Sequence, residues 1–211
     1  MYIPTQFRED DIPTVHAAIR AAGLATLVTN GPDGLIATPL PLLIDPDPAP
    51  YGTLHGHVAR ANPQWQRSDP AADGLAMFMG PDAYVTPSWY QTKRETGKVV
   101  PTWNYVAVHA YGPVEFYTDP DRLLALVTWL TRRHEDKRAH PWAVSDAPDD
   151  FIRSQLKGIV GCVLRINRLE GKWKMSQNRV AADRAGVTLG LRADGNTEVA
   201  ALVEGAMHPA R

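Results

Sequence analysis

A single cysteine, Cys162, stands among the 211 residues, so no internal disulfide can form. Inside the apolar run "IVGCVLRI" its thiol is expected to behave as a small hydrophobe. Long apolar runs are missing too: no window approaches the roughly 18 uninterrupted apolar residues of a membrane helix. The opening "MYIPTQFREDDIP" has no basic head followed by an apolar stretch, which leads to the expectation of a cytoplasmic protein with no membrane partner. Charge of one sign is scarce, with a formal net charge of −1. That balance gives no bulk attraction for a nucleic-acid backbone, so any such role needs a local patch. The chain also lacks a glycine-rich dinucleotide loop, a P-loop, a serine nucleophile elbow and paired carboxylates, so no catalytic acid or base can be named.

What is present is the composition of a globular protein, 44% hydrophobic and 21% charged, in a length that suits one domain. Eighteen prolines and sixteen glycines favour short elements separated by turns. Asp11 to Ala22 reads as an amphipathic helix stopped at Gly23. "LATLVTN", the turn "GPDG" and "LIATPLPLLID" form a hairpin, and Pro39 and Pro41 remove two backbone donors from its second strand. That strand should therefore lie at an edge or beside something other than a strand. "YGTLHGHV", "LAMFMG", "DAYVTP", "VVPTWNYVAVHAYG" and "IVGCVLRI" read as further strands, and "SWYQTKRETGK" as a polar loop. Helices are expected after Asp119–Pro120 and over Asp149 to Leu156, and the chain should end in a helical tail from about residue 180 to 211. The expected fold is mainly β with peripheral helices, about seven strands in a closed antiparallel barrel.

Several stretches carry binding chemistry. In "GHVARANPQW" a strand leads to Arg60, and Asn62–Pro63 signals a helix start, so free N–H groups and a guanidinium gather as a phosphate cradle. An ordinary cap with a solvated arginine reads the same residues equally simply. His55 and His57 share a strand face but have no third ligand nearby, so a metal is not expected, and one of them facing an anion or packed in the core is favoured. His109, sharing a face with Tyr105 and Tyr111, is a lone haem candidate, with core packing or ligand contact favoured over it. Trp103, Asn104 and Tyr105 offer aromatic faces beside an amide, suited to a planar heterocycle or to a barrel-end plug. "EGKWKMSQNR" places Lys172 and Lys174 on one side of an extended segment, a clamp for an anion or a solvated loop.

Taken in order, "MYIPTQF", "GHVARANPQW", "GPDAYVTPSWY", "KVVPTWNYVAVHAYG", "PWAVSDAP" and "LEGKWKMSQNR" with "DRAGV" closely resemble the PaiB family of FMN-binding negative transcriptional regulators. The resemblance runs from Met1 to about Leu191. It implies a split β-barrel shared with pyridoxamine-phosphate oxidases and flavin reductases, working as a homodimer with FMN at the interface. It places Arg60 and the helix after Asn62 at the FMN phosphate, with His57 nearby, and Thr38, Pro39 and Leu40 beside the flavin ring. Trp103 and Asn104 border the flavin, and Ser88, Lys172, Lys174 and Gln177 reach it from the same or the neighbouring chain. DNA is a partner by that resemblance only. An FMN-dependent oxidoreductase using NAD(P)H is the alternative, and a haem-binding module a further one.

Overall fold

Short elements follow one another in the computed structural model, which describes residues 1–206. In chain order they are β1 (Arg8–Glu9), α1 (Ile12–Ala21), β2 (Ala25–Gly31), β3 (Gly34–Leu40), β4 (Leu43–Asp45), β5 (Thr53–Ala59), α2 (Gln64–Arg67), β6 (Gly74–Val85), α3 (Gln91–Thr96), β7 (Thr102–Gly112), β8 (Val114–Tyr117), α4 (Pro120–Glu135), α5 (Asp149–Leu156), β9 (Ile159–Arg165), β10 (Arg168–Lys174), α6 (Ala181–Ala193) and α7 (Thr197–Gly205). The strands form a six-stranded sheet, ordered β1-β10-β7-β6-β2-β3, and a four-stranded sheet, ordered β4-β5-β9-β8. The fold is therefore mainly β with peripheral helices, as expected, although the strand number exceeds the expected seven. No helix of the described residues is long and apolar enough to cross a membrane.

Three local expectations are corrected. "LAMFMG" and "DAYVTP" are one strand, β6, because Gly80 does not break it: a Cβ there would stand 2.9 Å from the Val106 side chain, so the glycine admits a close neighbour. "LIATPLPLLID" is two strands in different sheets, divided at the Pro41 break, and β3 is the edge that Pro39 demands. "SWYQTKRETGK" is a 3-10 turn at Pro87–Trp89 followed by α3, not a loop. The last residues of the expected tail, 207–211, lie outside the described residues.

The chain divides into two compact units. The first comprises Met1–Ala18, Met79–Val108 and the chain from Glu170 onward. Its core joins Val85, Tyr90, Val106 and Met175 to Val187 and Leu191 of α6 and Val199 and Val203 of α7. Gly186 and Gly190 leave a notch on α6 for Trp89, since a Cβ on Gly186 would stand 2.0 Å from the Trp89 carbonyl oxygen and one on Gly190 2.2 Å from its ring. Buried Asp183 accepts hydrogen bonds from the Thr92 amide and hydroxyl, both at 2.9 Å, and so fixes the first turn of α3.

The second unit comprises Ile19–Phe78 and His109–Leu169. Here β5 pairs antiparallel with β9 along seven residues, and β8 pairs on the other side of β9. The α4 helix starts as its sequence suggests, with Asp119 accepting the Arg122 amide at 2.8 Å and Pro120 in the first turn. Leu126 and Leu130 of its stripe pack with Leu43 and Tyr117. Gly161 is a glycine because the Tyr117 ring lies on it, 2.2 Å from where a Cβ would stand.

Candidate cofactor site

In the second unit the corner after β5 is built from main-chain bonds. The Arg60 amide donates to Gly158, its Nε donates to the Lys157 carbonyl at 2.6 Å, and its Nη2 to the Ile159 carbonyl at 3.5 Å. These carbonyls, just past the end of α5, orient the guanidinium. Its remaining N–H groups meet no partner among the described residues. Asn62 donates to the Thr38 hydroxyl at 2.9 Å and accepts the Gln64 amide at 2.9 Å. The expected helix is a single turn beginning after Pro63, so its dipole contributes little and the side chains carry the site.

Gln64, which the sequence reading passed over, anchors this corner. It is fully buried, and its amide nitrogen lies within hydrogen-bond distance of the Leu27 carbonyl, the Thr29 hydroxyl and the Ile36 carbonyl, at 3.0 to 3.2 Å. It thereby rivets the turn to the β2–β3 hairpin that carries Thr38. A lone polar residue behind Asn-Pro gives little sign of such a role.

His57 is not brought to Thr38. A Cβ on Gly56 would meet Leu40, Pro41 and Leu42, and strand alternation turns His57 to the opposite face. On that face His55 meets Trp129 of α4, with ring centroids 5.5 Å apart. Burial lowers the His57 pKa, and its Nδ1 has no partner among the described residues. Leu40 is buried, while Pro39 is exposed.

In the first unit, Trp103 and Asn104 do not share a surface, because consecutive strand residues face opposite ways. Trp103 is 53% exposed and meets Tyr84 edge-on at 5.9 Å, whereas Asn104 is fully buried and bonded to Ser176 at 3.1 Å. Lys172 is buried, donates to the Tyr2 carbonyl at 3.1 Å and lies 5.0 Å from the Tyr105 ring centre. Lys174 donates to the Thr102 hydroxyl and the Trp103 carbonyl. Burial, then the charges of Lys172 and Arg179, hold its pKa below the ordinary lysine value. Gln177 closes the turn after β10 with both ends of its amide, accepting from Met175 at 2.7 Å and donating to Trp173 at 2.6 Å. Ser88 accepts from Lys93 at 3.1 Å. Tyr84 and Arg179 also went unread, since only β6 alignment and the turn at Ser176 bring them to this region.

Cys162 supplies no nucleophile: burial pushes its thiol up to about 12. The second unit holds two polar groupings here: the Asn62 amide on the Thr38 hydroxyl, and the Arg60 guanidinium at the end of α5 beside Lys157; each supplies donor types that suit phosphate oxygens.

Residues 1–168 match the family model described as "Putative FMN-binding domain". The chain is 33% identical over 204 residues to "Protease synthase and sporulation protein PAI 2" of Bacillus subtilis, covering 97% of this chain and 95% of that one. It is 36% identical over 244 aligned positions to an uncharacterized protein of Aspergillus fumigatus, covering 94% and 93%. Among solved structures, the flavocytochrome Anf3 from Azotobacter vinelandii shares the fold, with a TM-score of 0.58 and 15% identity over 79% of this chain and 69% of that one. Family match and full-length relatedness agree with the mainly-β fold: the chain belongs to the PaiB family of FMN-binding proteins, and FMN is its cofactor.

Proposed function

We propose that Arg60, Asn62 and Thr38 hold the FMN phosphate, with Thr38 to Leu40 beside the isoalloxazine ring, and that the protein is a cytoplasmic PaiB-type regulator. The observation that carries the site is the Arg60 guanidinium, oriented by two backbone carbonyls with its other N–H groups uncommitted. Arginine held in this way loses little further freedom on binding phosphate. Bound FMN supplies the redox chemistry; the chain's own groups bind and orient it. Replacement Arg60→Ala is expected to weaken FMN binding by about 1.5 to 3 kcal/mol, the range for a hydrogen bond to a charged group. Flavin fluorescence titration reads this directly, and unchanged affinity overturns the assignment.

The regulator reading rests on relatedness to the Bacillus protein and predicts retardation of specific DNA, with affinity falling steeply as salt rises. A homodimer is part of the same proposal. Exposed Tyr84, Val100 and Trp103 in the first unit give a second copy an apolar contact, and light scattering after gel filtration tests it. The redox reading keeps one observation of its own: Lys172 and Arg179 lie close enough to Lys174 to lower its pKa, and Lys174 donates to the Trp103 carbonyl, a positive cluster that favours a ring gaining negative charge on reduction. FMN-dependent oxidation of NADH, lost in Lys174→Gln, would put this reading first.

A further inference from the structure

We propose that the second unit carries a separate cavity for a small phosphorylated molecule of mononucleotide size. The cavity, about 810 Å³, lies where the last turn of α1 and the last turn of α4 meet the β3–β4 connection. That volume is within the range of ligand pockets, and neither Arg60 nor Asn62 lines it. Arg20, Arg132, Arg133 and Lys137 line it against one carboxylate, Asp136. Glu135, the nearest glutamate, is spent elsewhere: it accepts from Arg138 at 2.9 Å and from the Trp142 amide at 3.1 Å.

Cations at helix C-termini are common because the two helix ends each carry roughly half a negative charge. Here they exceed that need: four cations against one carboxylate and two helix ends leave a surplus of about two positive charges. The Arg133 guanidinium donates to the Arg20 carbonyl, which ties the two helix ends together across the cavity wall. Arg132 and Lys137 keep their donors for an anion. The apolar lining comes from Leu42, Ile44 and the partly exposed ring of Trp129, one turn before Arg132 and Arg133 on α4. A phosphate at the cations, a flat base against the indole and a sugar hydroxyl donating to Asp136 satisfy all three kinds of surface.

The test is calorimetric titration of the full-length, FMN-loaded protein with AMP and, separately, with inorganic pyrophosphate at low salt. AMP is expected to saturate near one per chain and to bind more tightly than pyrophosphate. Arg132→Glu with Lys137→Glu should weaken AMP at least about tenfold while leaving FMN affinity unchanged. Trp129→Ala should remove the advantage of AMP over pyrophosphate. These side chains are exposed, so folding is expected to survive, and the Arg132→Gln, Lys137→Gln pair serves if it does not. The proposal is overturned by absence of saturable AMP binding, or by AMP binding indifferent to the charge reversal. Pyrophosphate matching AMP also overturns it, as does loss of duplex DNA binding with no AMP binding. Parallel loss of FMN affinity assigns the cavity to the flavin instead, and would count equally against Arg60 as the phosphate anchor.

Discussion

The corner after β5 and the strand mouth of β7 both gather cations and amides, yet they are braced in opposite ways. At the corner, Arg60 and Asn62 are aimed by hydrogen bonds to carbonyls, a hydroxyl and an amide, and Arg60 itself stays open to solvent. At the mouth, Asn104 and Lys172 are buried, and the framework around them is a packed core in which Trp89 fits the α6 notch. A cation aimed in the open can bind a ligand atom directly. A buried one sets the field around it and is costly to disturb.

The contrast breaks most sharply at the notch. Gly186→Ala places a methyl 2.0 Å from a backbone oxygen that has no rotamer through which to yield, and should cost about 3 kcal/mol, the upper part of the usual range for overpacking. Denaturant unfolding measures it. A loss near zero would mean that α6 is not locked on Trp89, and the packed brace of the first unit would fall with it.

The hydrogen-bonded brace is tested at Gln64. Replacement Gln64→Leu keeps the volume but strips the Leu27 and Ile36 carbonyls of this donor and leaves the Thr29 hydroxyl with Ser68 alone. The expected loss is about 2 kcal/mol of stability, within the range for leaving buried acceptors unpaired. FMN affinity should fall as well, because Asn62 caps the turn that Gln64 anchors. A loss of stability with FMN affinity intact would separate the brace from the site.

Much of this architecture can be read from local sequence. Asp119–Pro120 caps α4, Asp149 to Leu156 is α5 at the expected bounds, and Pro39 sends β3 to an edge, each through a rule acting within a few residues. The missed features depend on distant partners. The α3 helix looks like loop because its first turn is capped by Asp183, 91 residues away. Gly80 looks like a break because Val106, which needs the space, comes from another strand. Arg60 and Asn62 were legible as an anion corner, but Gln64 was not, since its three acceptors lie on a hairpin formed earlier in the chain. His57 reads as a residue near the phosphate because it precedes Arg60 by three positions, and only the alternation of β5 against Gly56 turns it from the Leu40 face.

The smallest expected effect is a pH dependence at His57, and it tests whether an unpaired polar atom in the second unit is tolerated because it stays neutral. Burial lowers the folded-state pKa below the ordinary histidine value of 6.5, and among the described residues Nδ1 has no partner to favour the imidazolium. Between the two pKa values the unfolded chain binds more protons than the folded one, so stability falls as pH drops below about 6.5 and the penalty stops growing once the folded histidine also protonates. Above that pH both states are neutral and the group contributes no slope. His57→Gln removes the titration while leaving a polar side chain. Melting temperatures should therefore fall more for the wild type than for the variant between pH 8 and about pH 5.5, with the difference confined to the acid side. Parallel curves would mean that His57 is protonated as easily folded as unfolded, and that its face of β5 is wetter than its burial implies.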